Sequence, residues 1–225
     1  MFEGYKAMRA AIFGCPRLLL SLPKNLQDEA EKYLPYSTGF EIECTMNREA
    51  VFNDRIRSYY ETETLHNDIF RNIPNIIQVS NDTAEQRYRI PAGVKGLICL
   101  YDICNNLVKY SKINKLSGIH YHVDMTDVWY SIQSHHISLN RDWILKALES
   151  WKYTGKYNKR GVEISRYNNT WVRLNGDYRT AEIRIGEMSF DYKLLVKRII
   201  HCNNIIKALK KAVVLDTNMN VGKFE

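Results

Sequence analysis

Three short stretches hold the residues that could do chemistry. In SGIHYHVDMT, His120, His122 and Asp124 take every second position, with Ile119, Tyr121, Val123 and Met125 between them. In TGFEIEC, Glu41 and Glu43 alternate with Phe40, Ile42 and Cys44, and in AEIRIGE, Glu182 and Arg184 alternate with Ile183 and Ile185. Successive side chains of a strand point to opposite faces and the chain rises about 3.3 Å per residue. Each stretch therefore gathers its carboxylates and imidazoles on one face, some ~6–7 Å apart. An ordinary sheet with one side in water explains any one of these strands. It explains the three together poorly, because wet strand faces draw on Thr, Ser, Lys and Gln.

Carboxylates on one face repel and raise each other's pKa unless a cation holds them ionised, and a bound metal is the economical remedy. Several carboxylate oxygens with one or two imidazoles suit Mg²⁺ or Mn²⁺, whereas an imidazole-rich site leans to zinc. Arg184, two residues from Glu182 on the same face, is a fixed cation able to grip a phosphate through paired hydrogen bonds. Carboxylates, metal and arginine together describe a nucleotide site for phosphoryl transfer. No G-x-x-x-x-G-K-[ST] loop or G-x-G-x-x-G turn is present, so ATP would be held by the sheet face.

Stepping outward, the spacing of apolar residues predicts the elements that must position these groups. The apolar patch AAIFGCPRLLLSL, preceded by Glu3 and broken by Pro16-Arg17, fails as a signal-peptide core and is too short for a membrane span. It reads as a packed element of a helical segment over 1–37. Residues 48–73 carry helical spacing that ends near Pro74. EQRYRIP reads as a strand with Glu85, Arg87 and Arg89 on one parity. Val94, Leu97, Ile98, Tyr101, Cys104 and Val108 mark an amphipathic helix covering a sheet, and Trp143, Ala147, Leu148 and Trp151 mark another over about 141–151. GVEISRY, a polar turn at Asn168-Asn169, TWVRL, a tight Asn175-Gly176 turn and YRTAEIRIGE predict an antiparallel meander. Leu195, Ile199, Cys202, Ile206, Leu209 and Val213 give a final helix over 190–213 one buried seam, with Lys207, Lys210 and Lys211 at a solvated C-terminal end. The expected fold is α+β, with helices on one face of a largely antiparallel sheet.

A chain of 225 residues with 45% apolar content can fill one sizeable core. A net charge of +7 favours anionic partners without choosing among nucleotides, nucleic acid and acidic peptides. Five cysteines, with no C-x-x-C pair, suggest neither a disulfide framework nor a thiolate zinc site, and a cytoplasmic protein is expected. The 15 tyrosines raise base stacking, but most fit core edges. His135-His136 and His201 lack metal spacing with the main cluster and read as surface or helix residues.

The ordered set GFEIEC, SGIHYHVD and AEIRIGEMSFDYKLLVKRII resembles the amidoligase family and, more distantly, the catalytic domain of glutamine synthetase and glutamate–cysteine ligase. Those enzymes carry an E-x-E strand, a G-[MIL]-H-x-H strand and an E-x-R strand leading into a helix. The resemblance spans roughly 38–210, implying a catalytic domain over 38–213 and a tail over 214–225. It implies a curved antiparallel sheet cupping the nucleotide. It also implies metal ligation by Glu41, Glu43, His120 and Glu182, with Glu85 on an intermediate acidic strand as a further ligand. His122 would ligate or orient, His120 would sit at the metal or the transferred phosphate, and Arg184 would contact phosphate with Arg87 and Arg89 beside the nucleotide. NDTAEQRYRIPAG matches the middle of the pattern only loosely.

The implied reaction is ATP-dependent joining of a carboxylate to an amine through an acyl phosphate, on a peptide or amino-acid substrate. Asp124 and Glu163 are candidates to take the amine's proton. Two rivals stay open. His120-x-His122-x-Asp124 resembles the start of a metallo-hydrolase motif, but Met125 stands where that motif has another His, and Glu41, Glu43 and Glu182 are left without a role. The other rival is a non-catalytic basic structural or nucleic-acid-binding protein on a ligase-like scaffold.

Overall fold

The computed structural model describes residues 2–46, 76–78, 84–113, 117–132, 134–149, 151, 159–163, 170–176, 178–185 and 188–221. The helical reading of 48–73 lies outside them. The chain divides into two compact units, Met1–Ile119 with Met188–Ile200, and His120–Glu187 with His201–Glu225. The fold is mixed helix and strand, as the alternation of the two periodicities predicts.

In the first unit, α1 (Phe2–Phe13), a 3₁₀ segment (Pro16–Ser21) and α2 (Lys24–Glu31) lead into β1 (Thr38–Met46). The strands β2 (Ile76–Gln78) and β3 (Ala84–Ile90) follow, in the antiparallel order β2-β3-β1. Phe40, Ile42 and Cys44 are buried, which is the apolar parity expected of β1. Phe40 is registered with Tyr88, and their rings stack at 5.1 Å. The helix α3 (Gly93–Tyr110) packs on β3, and β4 (Ser111–Lys112) pairs antiparallel with the end of β1. The buried face of α3 is rotated from the expected one. Val94, Leu97, Leu100, Cys104 and Leu107 are buried, while Val108 is 65% exposed. Leu107 takes the place expected of Val108, since adjacent residues compete for one helix stripe and spacing alone does not choose between them.

Glycine matters at the start of α3. Gly93 adopts φ +73°, and a Cβ there would stand 1.5 Å from the Glu31 Oε2 atom. That oxygen accepts the Val94 backbone N–H at 3.0 Å, so Glu31 reaches from the end of α2 to satisfy an open donor of α3.

The strand β5 (Gly118–Asp124) opens in the first unit and continues into the second from His120. In the second unit it is followed by α4 (Ser134–Leu148), β6 (Lys159–Glu163), β7 (Thr170–Asn175) and β8 (Thr180–Ile183), with strand order β5-β8-β7-β6. β5 with β8 and β8 with β7 are antiparallel, but β6 runs parallel to β7. The all-antiparallel meander is thus corrected at β6. Alternation reports which face is buried and is blind to strand direction, and the Asn168-Asn169 turn lies outside the described residues.

The Asn175-Gly176 turn is also corrected: Asn175 is registered with Thr180, so the two strands are separated by four residues and not two. Among the described residues of this connection, Arg179 is left-handed, at φ 51°. The helix α4 starts earlier than expected and buries Ile137, Ile144, Leu145 and Leu148, leaving Trp143 45% exposed.

The last helix, α5 (Tyr192–Val221), buries Leu195, Ile199, Cys202, Ile206, Leu209 and Val213, the expected seam. It runs well past residue 213, so Lys207, Lys210 and Lys211 lie in its interior and not at its C-terminal dipole. Lys210 is buried and its Nζ donates to the Asp127 carboxylate at 2.6 Å. All five cysteines are free, and burial pushes the Cys44 thiol up to about 11 and that of Cys104 to about 12. Among the described residues no helix is long and apolar enough to cross a membrane.

Candidate functional site

The pairing of β5, β8 and β7 explains how the second unit collects its polar residues. His122 is registered with Glu182 and Glu182 with Arg173; one step along, Asp124 is registered with Thr180 and Thr180 with Asn175. Residues directly opposite in antiparallel strands share a face. The intervening rows, Tyr121, Ile183 and Val172, then Val123, Ala181 and Leu174, make up the other, apolar face and are all buried. The polar face is buried too. His120 is 4%, His122 6% and Glu182 1% exposed, so the reading of these strands as one wet sheet face does not hold.

Glu182 is the centre of the cluster. Its Oε2 atom accepts from Arg173 Nε at 2.7 Å, from the same guanidinium's Nη2 and from Asn175 Nδ2 at 3.3 Å. Its Oε1 atom lies 3.1 Å from Arg184 Nε and 3.7 Å from His120 Nδ1. Arg173 and Arg184 bring compensating charge to Glu182. Arg184 leaves β8 directly after Ile183 and is held by its backbone N–H, which donates to the Trp171 carbonyl at 2.8 Å.

His122 Nδ1 is 3.1 Å from the Thr180 hydroxyl, and its ring meets the Tyr178 ring edge-on at 6.1 Å. Asp124 accepts from the Thr126 backbone N–H at 2.9 Å and from the Thr126 hydroxyl at 2.6 Å. These two bonds close the turn after β5 and tie up one oxygen of the proposed proton acceptor. Glu163 is registered with Arg173 across β6 and β7; its side chain lies outside the described residues.

The first unit carries the remaining candidates. Glu41 is half-buried and Glu43 is 5% exposed, with Glu43 Oε2 at 4.0 Å from where a Gly118 Cβ would stand at the start of β5. Glu41 is registered with Arg87, Glu43 with Glu85 and Gly39 with Arg89. Arg89 is exposed, and the side chains of Glu85 and Arg87 lie outside the described residues.

His120 and Glu182 fit a shared divalent cation. Two donors on one ion at about 2.1 Å each can stand no more than ~4.2 Å apart; the 3.7 Å between Nδ1 and Oε1 satisfies this. Arg184 Nε, on the same oxygen, competes with such an ion for it. Sequence reasoning missed Arg173, Asn175 and Thr180. The signal for Arg173 and Asn175 was present, since with Trp171 they form the polar parity of TWVRLN against Val172 and Leu174.

No protein-family model matches the chain, and no curated protein matches it.

Proposed function

We propose that this protein is an ATP-dependent carboxylate–amine ligase on a glutamine synthetase-like curved sheet. The observation that carries the reading is the Glu182 carboxylate, 1% exposed, with one oxygen anchored by Arg173 and Asn175 and the other facing His120 and Arg184. A buried charge is expensive to keep, and a fully positioned one beside an imidazole and an arginine fits a site built to neutralise a phosphoryl group. The ordered E-x-E, H-x-H and E-x-R strands support the same reading.

In this reading His120 and Glu182 would serve as metal ligands, and Mg²⁺ or Mn²⁺ would supply positive charge to the ATP phosphates. Arg184 binds the γ-phosphoryl group and neutralises it as the substrate carboxylate oxygen attacks phosphorus and ADP leaves. Arg173 keeps Glu182 oriented. The amine then attacks the acyl-phosphate carbonyl, loses a proton and expels inorganic phosphate, leaving the amide.

Thermal shift tests the proposal. At 100-fold excess over Kd, Mg-ATP adds about 2.7 kcal/mol of stability, on the order of 5–10 °C for a chain this size. Wild type is expected to show that rise, and His120→Ala to lose it. An intact protein with no nucleotide response would overturn the ligase. A second reading, a non-catalytic basic binding protein on the same scaffold, is favoured by Arg173, which balances Glu182 without a metal. It predicts salt-sensitive oligonucleotide binding that His120→Ala leaves unchanged.

A further inference from the structure

We propose that Tyr130, Tyr178 and Arg179 form a stacking shelf for a nucleobase at the edge of the second unit's polar face. The choice of ligand rests on the nucleotide reading above. Two segments build the shelf, the turn after β5 and the four-residue connection between β7 and β8. They are joined where the Met125 backbone N–H donates to the Arg179 carbonyl at 3.0 Å, and where Trp129 lies 3.8 Å from where a Gly176 Cβ would stand. Tyr130 is 80% and Tyr178 55% exposed. Tyr178 also reaches inward, with its ring against that of His122, so the shelf is continuous with the Glu182 row.

Arg179 is the informative residue. A residue at φ 51° in a hairpin loop is normally Gly or Asn, because a Cβ is crowded in the left-handed region. Here the glycine is three positions earlier, and the strained position holds an arginine whose guanidinium carbon lies 5.0 Å from the Tyr130 ring centroid. Strain retained at one exposed position points to a use for the side chain.

The arrangement also selects the ligand. A guanidinium already over Tyr130 disfavours a cationic guest, and two exposed rings are too small a surface for an apolar helix. A planar ring bearing an anionic group satisfies both parts, stacking on the tyrosines and pairing with Arg179.

The test is calorimetric titration of adenosine, AMP, magnesium triphosphate and a short oligonucleotide into the full chain. Wild type, Tyr178→Ala and Arg179→Gly are compared. Adenosine is expected to bind wild type and to weaken roughly 5- to 150-fold in Tyr178→Ala, the range for loss of one base–aromatic stack. Arg179→Gly is expected to weaken AMP more than adenosine while melting no lower than wild type, since glycine accepts the backbone without strain. Magnesium triphosphate binding, which reports the proposed phosphate site, should be unchanged in Tyr178→Ala. Absence of adenosine binding to wild type would overturn the shelf, as would equal affinities in all three proteins. So would an oligonucleotide that binds where adenosine does not. Adenosine binding without triphosphate binding would leave the shelf standing and remove the ligase.

Discussion

Arg173 and Glu182 stand directly opposite each other on β7 and β8, with the guanidinium Nε donating to the carboxylate Oε2 at 2.7 Å. Arg173 keeps some contact with water at 17% side-chain exposure, while Glu182 keeps almost none at 1%. The pair is therefore asymmetric. Arg173→Met strands a buried carboxylate with its other partners, and is expected to cost about 2–3 kcal/mol, below the usual range for a fully buried pair because water can reach the vacated side. Glu182→Gln leaves two partly hydrated arginines and keeps an acceptor, so it should cost about 1–2 kcal/mol. Urea unfolding of both variants gives the order; a larger loss in Glu182→Gln would show that the arginines, not the carboxylate, depend on the pair.

Gly93 and Glu31 are coupled through space as well as through a cap. Gly93→Ala both strains φ and drives a methyl into the Glu31 carboxylate, so it is expected to lose about 2–4 kcal/mol. Glu31→Ala removes only the bond to the Val94 N–H and should cost roughly 1 kcal/mol. In the double variant the collision is gone, and the total should fall below the sum of the singles by about 1 kcal/mol or more. Strict additivity in denaturant unfolding would sink the coupling.

His201 gives the second unit an acid-sensitive contact. Burial lowers its pKa below the usual value, and Trp151 Nε1 donates to its Nδ1 at 3.0 Å, so that nitrogen acts as acceptor in the neutral ring. The sign follows. On acidification the unfolded chain takes up the proton first, at about pH 6.5. The contribution of His201 is thus complete above that pH and disappears as pH falls through the lower folded pKa. Melting curves from pH 8 to 5 should show wild type losing more stability than His201→Gln, with the difference concentrated below about pH 6.5. Parallel curves would exclude a role for His201.

Face was legible in the sequence and partner was not. The alternation in GIHYHVD and AEIR put His122 and Glu182 on a polar face, and the structure has them there, with Arg173 opposite Glu182. A two-residue Asn175-Gly176 turn would have set Arg173 opposite Tyr178; the four-residue connection sets it opposite Glu182. A slip by an even number of residues keeps every side chain on its face and changes every partner, which is why hydrophobic pattern alone could not find the ion pair. The same blindness applied to Lys210, assigned to solvent from its basic neighbours but buried against Asp127. The seam of α5 was legible because six apolar residues at steps of four and three leave only one stripe to bury.

The Tyr192 hydroxyl donates to the Ile12 carbonyl at 2.7 Å across 180 residues of sequence, and burial pushes the phenol's pKa up so that it keeps its proton. Both residues belong to the first unit, whose last piece, Met188–Ile200, is made after the whole of His120–Glu187. Synthesis therefore runs against assembly: α1 emerges early with Met8, Ala11 and Ile12 to be covered, and part of what completes its unit does not yet exist. At about 5–20 residues per second the wait is on the order of ten to forty seconds. During that interval the nascent chain would expose the apolar face of α1 that the finished protein buries.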